Sequence, residues 1–304
     1  MLVMGAARAQ QVVHIVVPFA AGGVQDIVAR SFNAELAALL GRNVIVENRA
    51  GAGGTIGTGY VAKSAPDGNT LILAAASHTI AGSLYAKLPY DPLKDFTPIA
   101  HIGNVDYVLL VSSTVPAKTL GEFIAYAKAN PGKLNYASAG NGSATHLSMA
   151  YFCAMAGIDV VHVPFKATGE AVNEVLAGRA QAVIAANVGA IPYVNDPRVL
   201  ALASTGKQRS KFLPQLATAD EAGVRGYAFD SWIGLLGPAG MPPAQVEAIN
   251  AAVAKLLKDA VILGRLDRQG VVPEAMSPRA FGELLRADYT KMARVVKLSG
   301  ARID

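Results

Sequence analysis

Apolar positions along the chain follow two periods. Val12–Val17 is an apolar run of strand length, ended by Pro18. From Val24 to Leu40 the apolar residues fall at 24, 27, 28, 32, 36, 39 and 40, the spacing of one helix face, and Gly41 supplies the stop. Val44–Val46 predicts a second strand. Beyond the glycine-rich stretch Gly51–Gly59 a helix is expected to reach about Lys63, and Pro66-Asp67-Gly68 makes a turn before a strand at Thr70–Ala74. Such alternation predicts a parallel sheet with helices on both faces.

A β-branched strand at Tyr107–Val111 leads into a second alternating block. Its helices are expected at Leu120–Ala129, Ser143–Ala156 and Gly169–Leu176. Its strands are expected at Asn135–Ala137, Val160–His162, Ala182–Ile184 and Val199–Ala203. Tyr227–Leu236 predicts another long strand, after which Pro242-Pro243 and Ser277-Pro278 each open a helix. The last helix carries Phe281, Leu284, Leu285, Tyr289, Met292, Val295 and Val296 on one face. This helical tail is most simply packed back on the first block. The strands near 107–112 and 227–236 are then the two crossings between a pair of α/β lobes, and such a doubly crossed hinge closes a cleft on a ligand.

Composition narrows the class. The 304 residues are 52% hydrophobic and 16% charged, enough apolar material for the cores of two domains of roughly 100–200 residues each, which excludes a disordered chain. No apolar run approaches the roughly 18–20 residues of a membrane span; Ala182–Val194 is broken by Asn187. The net charge of +5 comes from lysines and arginines scattered singly, without the basic footprint that nucleic acid requires. Cys153 is the lone cysteine, so neither a disulfide nor a cysteine metal site forms within the chain, and it reads as a small buried hydrophobe. The first ten residues, MLVMGAARAQ, carry Ala7-Arg8-Ala9, the A-x-A form of a signal-peptidase site. Residues 1–9 are read as the remnant of an export signal to a bacterial periplasm, too short to be a whole one.

Two glycine-rich strand-to-helix turns are the candidate chemistry. One runs from Pro18 through Phe19, Ala20, Ala21, Gly22, Gly23 and Gln25 to Asp26, the other from Ser138 through Asn141, Gly142 and Ser143 to His146. A helix start offers unpaired N–H groups and a positive dipole end, which favours an anion. One start contributes about 0.3–1 kcal/mol, ~2 when partly buried, whereas micromolar binding needs about 8 kcal/mol. Opposed turns, side-chain hydrogen bonds and closure are therefore all required.

Other motifs carry less. Gly57-Thr58-Gly59-Tyr60-Val61-Ala62 is a loose G-x-G-x-x-A, but it does not directly follow its strand and no carboxylate lies near residue 80. Ser143 and His146 can share a helix face, yet no G-x-S-x-G elbow surrounds the serine; a cap and a hydrogen-bonding imidazole are the simpler roles. Histidines 14, 78, 101, 146 and 162 show no metal-ligand spacing. Lys166 ends a strand, either as a carboxylate partner in the cleft or as a solvated side chain. Asp230, between Phe229 and Trp232, is marked for its place near the hinge. An α/β enzyme using Ser143 and His146, or a nucleotide at Gly57–Ala62, stays open as the alternative, as does a sensor for a membrane signalling partner.

At this point several motifs together resemble one family. They are Pro18-Phe19-x-x-Gly22-Gly23-x-x-Asp26, Val46-Glu47-Asn48-Arg49-x-Gly51-Ala52-Gly53-Gly54-x-Ile56-Gly57, Ala65-Pro66-Asp67-Gly68 and Leu88-Pro89-Tyr90-Asp91-Pro92. Gly140-Asn141-Gly142-Ser143-x-x-His146, Val163-Pro164-Phe165-Lys166 and Trp232-x-Gly234-Leu235-Leu236-x-Pro238-Ala239-Gly240 follow in the same order. The chain resembles the Bug-type, TctC-like receptors of tripartite tricarboxylate transporters. The resemblance implies a two-lobed periplasmic binding fold, type II-like, each lobe a β-sheet flanked by helices, with the ligand between them. The first lobe is then 10–109 plus 233–304 and the second 110–232. It implies a small carboxylate (a di- or tricarboxylate, an aromatic acid or an amino acid), a membrane permease as partner, a monomer, and no cofactor or metal. It places the ligand against Phe19 to Asp26 and against Asn141, Gly142, Ser143 and His146, with Ser77, His78 and Asn187 adding polar contacts. The Glu47–Gly57 motif is then structural. Ala20-Ala21, Val24-Gln25 and Ala185-Ala186 depart from the family pattern, and Gln25 brings a longer amide where a compact hydroxyl is common.

Overall fold

The computed structural model describes residues 12–301. The export-signal expectation for residues 1–9 therefore lies outside the described residues. The order is β1 (Val12–Val17), α1 (Val24–Leu40), β2 (Asn43–Asn48), α2 (Thr55–Ala62), β3 (Thr70–Ala75), α3 (Ala76–Leu84) and β4 (Phe96–Ser112). It continues with α4 (Leu120–Ala129), β5 (Asn135–Ser138), α5 (Ala144–Ala156), β6 (Val161–Pro164), α6 (Thr168–Leu176), β7 (Ala182–Ala186), α7 (Asn187–Ala190) and β8 (Val199–Ser204). The chain closes with β9 (Asp230–Pro238), α8 (Pro243–Leu256), α9 (Ala260–Arg268), β10 (Val271–Pro273) and α10 (Pro278–Ser299).

The strands run in the order β2-β1-β3-β9-β4-β7-β5-β6, with β8 and β10 also pairing with β4. Two lobes meet on β4. Its first part, Phe96–Asp106, pairs with β9, while Tyr107–Ser112 pairs with β7 and β8. The change of partners falls between Asp106 and Tyr107, opposite Asp230.

The expected all-parallel sheet needs correction. β1 is parallel to β2 and β3, and β5 to β6 and β7, but β9 is antiparallel to both β3 and β4, and β4 to β7 and β8. The reason is topological: β4 carries the chain out of one lobe and β9 brings it back, so the two crossings run in opposite senses. Most expected elements form within a residue or two of their expected limits. Five features were not expected: α3, α7, α9, β10 and the first half of β4. The β3 apolar run enters α3 with no glycine or proline between them, and Pro98 and Gly103 interrupt the pattern of β4, where the register with β9 also shifts.

α10 joins the parts. Ser277 caps it by accepting from the Ala280 N–H at 3.2 Å, and Pro278 occupies its first turn. Phe281 packs on β9 at Gly234, where a Cβ would collide with the ring and sit only 2.8 Å from the Ala100 carbonyl oxygen. The helix then contacts α3 and, further along, α5 of the second lobe, so the tail does not rest on the first lobe alone. One member of its buried face was not foreseen. Asp288 accepts from Thr79 Oγ1 at 2.6 Å and from Trp232 Nε1 at 2.8 Å, tying α3, β9 and α10 at one carboxylate. Burial raises its pKa even though both donors favour the ionised form.

Asp288→Ala leaves two buried donors without an acceptor, and urea unfolding is expected to show a loss of roughly 1–3 kcal/mol. Asp288→Asn retains an acceptor oxygen and should lose less; equal losses would show that the hydrogen bonds are not what matters.

Candidate ligand-binding site

The lobes enclose a cleft of about 540 Å³, its open mouth included. The first lobe contributes Phe19, Gly23, Val24 and Gln25 from the start of α1, with Ala75 and Ser77 from the start of α3. The second contributes Ala139, Ser143, Ala144 and Thr145 at α5, Ala167 and Thr168 at α6, and Ala186 before α7. Val105 and Tyr107 of β4 and Ser231 and Ile233 of β9 form the floor. No charged or histidine side chain is among these lining residues.

Helix starts converge here, and their caps are unusual. Gly23, Ala75 and Ala167 precede α1, α3 and α6 without any side-chain cap, although alanine at this position costs about 0.5–2 kcal/mol relative to Ser, Thr, Asp or Asn. Away from the cleft, Thr119, Asp259 and Ser277 cap α4, α9 and α10 with side chains. Gly54 before α2 and Pro242 before α8 also lack side-chain caps. Within the cleft only Ser143 caps, accepting from the His146 N–H at 3.2 Å. An uncapped helix start presents N–H groups and a positive dipole end to whatever enters.

Side chains behind the lining hold both turns. Asp26 faces back into its own turn, accepting from the Gly22 N–H at 2.9 Å, from Arg30 Nε at 2.9 Å and from Asn48 Nδ2 at 3.0 Å. Burial opposes its ionisation, but these three donors outweigh it and lower its pKa. Asn48 also donates to the Phe19 carbonyl at 3.1 Å, fixing the residue that walls the cleft. In the second lobe Ser143 Oγ donates to the Gly140 carbonyl at 2.7 Å, and the Ala139 N–H donates to Thr145 Oγ1 at 2.9 Å. The His146 ring accepts the Gly142 N–H on Nδ1 at 3.2 Å and stacks on His162, ring centres 4.0 Å apart. Ser143 and His146 thus brace one turn, each engaged with backbone. On the floor, burial pushes the Tyr107 phenol up, so it stays a neutral hydroxyl beside Ser231, whose Oγ accepts the Ala76 N–H at 3.1 Å.

Residues 28–300 match the model of the tripartite tricarboxylate transporter family receptor. The chain belongs to this receptor family. The receptor is 32% identical to protein BugT of Bordetella pertussis over 297 residues, covering 96% of this chain and 90% of that protein. It is similar to a Rhodopseudomonas palustris protein solved with adipate (TM-score 0.90, 32% identity, 96% of this chain and 98% of that one). It is likewise similar to MatC of Rhodopseudomonas palustris with bound malate (TM-score 0.87, 35% identity, 94% and 98% covered). A further neighbour, the periplasmic binding protein BugD, aligns at a TM-score of 0.89 with 32% identity over 96% of this chain and 98% of that one.

Of the residues expected at the receptor's site, Phe19, Gly23, Gln25, Ser77 and Ser143 line the cleft. Ala21, Gly22 and the Asn141 side chain are exposed, and Ala20 lies in the turn outside the lining. Asp26, Gly142 and His146 support the lining from behind, as described. His78 turns away: Nε2 donates to the Pro92 carbonyl at 2.8 Å, and its ring lies against Phe96, Tyr90 and Trp232. Asn187, fully buried, donates to Ser210 Oγ at 3.2 Å one residue beyond the lining Ala186. Lys166 is exposed, and its N–H donates to the Glu170 carboxylate at 3.1 Å. Asp230 pairs with Lys291 of α10 on the far side of β9. Tyr107, Thr145, Thr168 and Ser231 were not expected. Thr145 and Thr168 were within reach, since both sit in the first turn of a helix that follows a strand, α5 capped by Ser143 and α6 uncapped at Ala167.

Burial holds His78 down to about 4 and, with the neighbouring His162 second, His146 down to about 3, against about 6.5 in an unfolded chain. Between these values the unfolded state binds more protons, so this stability is complete above pH 6.5 and is lost as pH falls. Unfolding free energies from urea titrations should be lower at pH 5 than at pH 7.5, by roughly 1–2 kcal/mol for each of the two rings. His78→Gln should flatten that slope; a slope unchanged by the substitution contradicts the assignment.

Proposed function

We propose that this receptor captures a small carboxylate by closing its lobes over the cleft and presents it to the membrane permease of a tripartite transporter. The observation that carries this reading is the set of helix starts, α1, α3, α5 and α6, facing one cleft whose lining has no charged side chain. At the partly buried figure of ~2 kcal/mol each, four starts together reach the order of micromolar binding, about 8 kcal/mol. The adipate and malate of its structural neighbours support a dicarboxylate. The lining also narrows the class: Phe19, Val24, Val105 and Ile233 suit an apolar body, and no carboxylate stands ready for an ammonium group. A diacid without an amine is favoured over an amino acid.

The lobes in this reading are 10–109 with 233–304 and 110–232, moving about β4 and β9. Export to the periplasm, with Met1–Ala9 as the remnant of the export signal, action as a monomer without cofactor and the absence of catalysis complete the proposal. Engagement of Ser143 Oγ and His146 Nδ1 by backbone supports a binding role over the enzymatic alternative.

Thermal shift tests the reading. At 1,000-fold over a micromolar Kd, adipate or malate should stabilise the protein by ~4 kcal/mol, glutamate by less. If no di-, tricarboxylic or aromatic acid raises Tm, the carboxylate reading fails. Ser143→Ala should weaken binding by about 1 kcal/mol, roughly fivefold, and abolish no turnover.

A further inference from the structure

The loop between β2 and α2 has the most unusual backbone among the described residues. Gly51, Ala52, Gly53 and Gly54 have φ of 134°, 46°, 63° and 99°, and Ala52 is the one described non-glycine residue with positive φ. An L residue held there stores strain that persists only where surrounding contacts demand it. Tyr85 supplies one such contact, its hydroxyl donating to the Ala52 carbonyl at 2.7 Å. Behind the loop, a Cβ at Gly54 would already lie 3.4 Å from the ring of Phe19, the cleft-wall residue.

The front of the loop meets the other lobe. A Cβ at Gly53 would collide with the Asn141 carbonyl oxygen and lie 2.7 Å from the Tyr85 hydroxyl. Across the same junction, a Cβ at Gly142 would lie 3.0 Å from Leu84 Cδ2 and 3.3 Å from the Tyr85 ring. Two glycine turns from opposite lobes are thus pressed together at the cleft mouth with no room for a methyl group. Gly57 of the same motif differs: its Cβ would meet the Arg49 carbonyl oxygen at 2.7 Å and Pro18 Cα at 3.1 Å, both in its own lobe. One glycine serves the fold of the first lobe, the other a contact between the lobes.

We propose that Gly51–Gly54 is the closure latch of the receptor, a strained loop preformed on the first lobe that receives the Asn141 carbonyl as the second lobe swings in. The missing side chain at Gly53 sets how far the cleft shuts. Through Phe19 and through the turn that bears Asn141, the latch touches both walls of the cleft, so ligand and latch favour the same closed arrangement. This rests on the reading of the cleft as a closing ligand site.

Gly53→Ala tests it, with Gly41→Ala as the control for backbone strain alone: Gly41 has the same φ of 63° and nothing within 4 Å of its Cβ position. Wild type and both variants are titrated with adipate, malate, glutamate and inorganic phosphate. Lobe separation is read by pulsed dipolar spectroscopy between spin labels on Lys63→Cys and Lys133→Cys. Gly53→Ala is expected to bind at least about tenfold more weakly than wild type. It should release the probe faster and keep the long label distance at saturation, while its unliganded stability matches that of Gly41→Ala. A Kd within twofold of the control, or the same short distance on binding, overturns the latch. Should phosphate be the probe that binds, the carboxylate reading fails and the ratio of affinities still decides the latch. Should wild type bind none of the four, that reading also fails, and the unliganded label distances decide: Gly53→Ala must lie longer than Gly41→Ala, and equal distances overturn the latch. If Gly53→Ala does not fold, Tyr85→Phe takes its place, since it frees the Ala52 carbonyl without touching the cleft lining; severalfold weaker binding supports the latch and unchanged binding overturns it.

Discussion

A helix cannot begin without leaving its first N–H groups unpaired by the helix itself, and a buried start must find acceptors for them. Elsewhere in this protein the chain supplies acceptors, as Thr119, Asp259 and Ser277 do for α4, α9 and α10. At three of the four starts around the cleft it withholds them, with Gly23, Ala75 and Ala167 at the cap positions and Ser143 alone capping there. The unmet hydrogen-bonding capacity is concentrated where an anion can answer it. Asp26 does not cancel this at α1, because Gly22, Asn48 and Arg30 engage its oxygens.

That concentration depends on topology. In each lobe the parallel strands end on the cleft side and a helix starts at once, so strand ends and helix starts gather on one edge. β4 and β9, antiparallel to each other, then hold the two edges face to face and supply the floor at Tyr107 and Ser231. Ser231 also accepts from the first N–H of α3, and its neighbour Trp232 donates to Asp288 of α10. The crossing strand therefore connects the cleft floor with the helix that contacts both lobes.

Much of this is legible in the sequence. The 3.6-residue spacing of Val24–Leu40, the Ser277-Pro278 start and the two glycine turns all marked real elements, because each depends on neighbours within a few positions. What escaped depends on contacts distant in sequence. Asp288 reads as a surface residue until Thr79 and Trp232 are brought to it, and Tyr107 and Ser231 read as ordinary strand residues until the second lobe makes their face a floor. His78 and Asp230 lie outside the lining: each is one residue from a lining position, Ser77 or Ser231, and the turn of α3 carries the one away from the cleft while strand alternation carries the other. The Glu47–Gly57 motif was read as structural within the first lobe, and the interlobe contact at its Gly53 is invisible to spacing, since Asn141 lies across the cleft.

A site made from dipoles rather than charged side chains also behaves differently when empty. A buried arginine facing an empty cleft leaves an uncompensated charge, and removing the partner of a buried ion pair costs about 3–5 kcal/mol. Helix starts exposed to an open, wet cleft are instead hydrated at little penalty, then strengthened as closure excludes water and lowers the local dielectric. Binding strength is thereby tied to the degree of closure, more than to any one residue. For a carrier that must hold its cargo in transit and surrender it on opening, this coupling is the useful property. A neutral cleft under a mouth contact at Gly53 achieves both with the same motion.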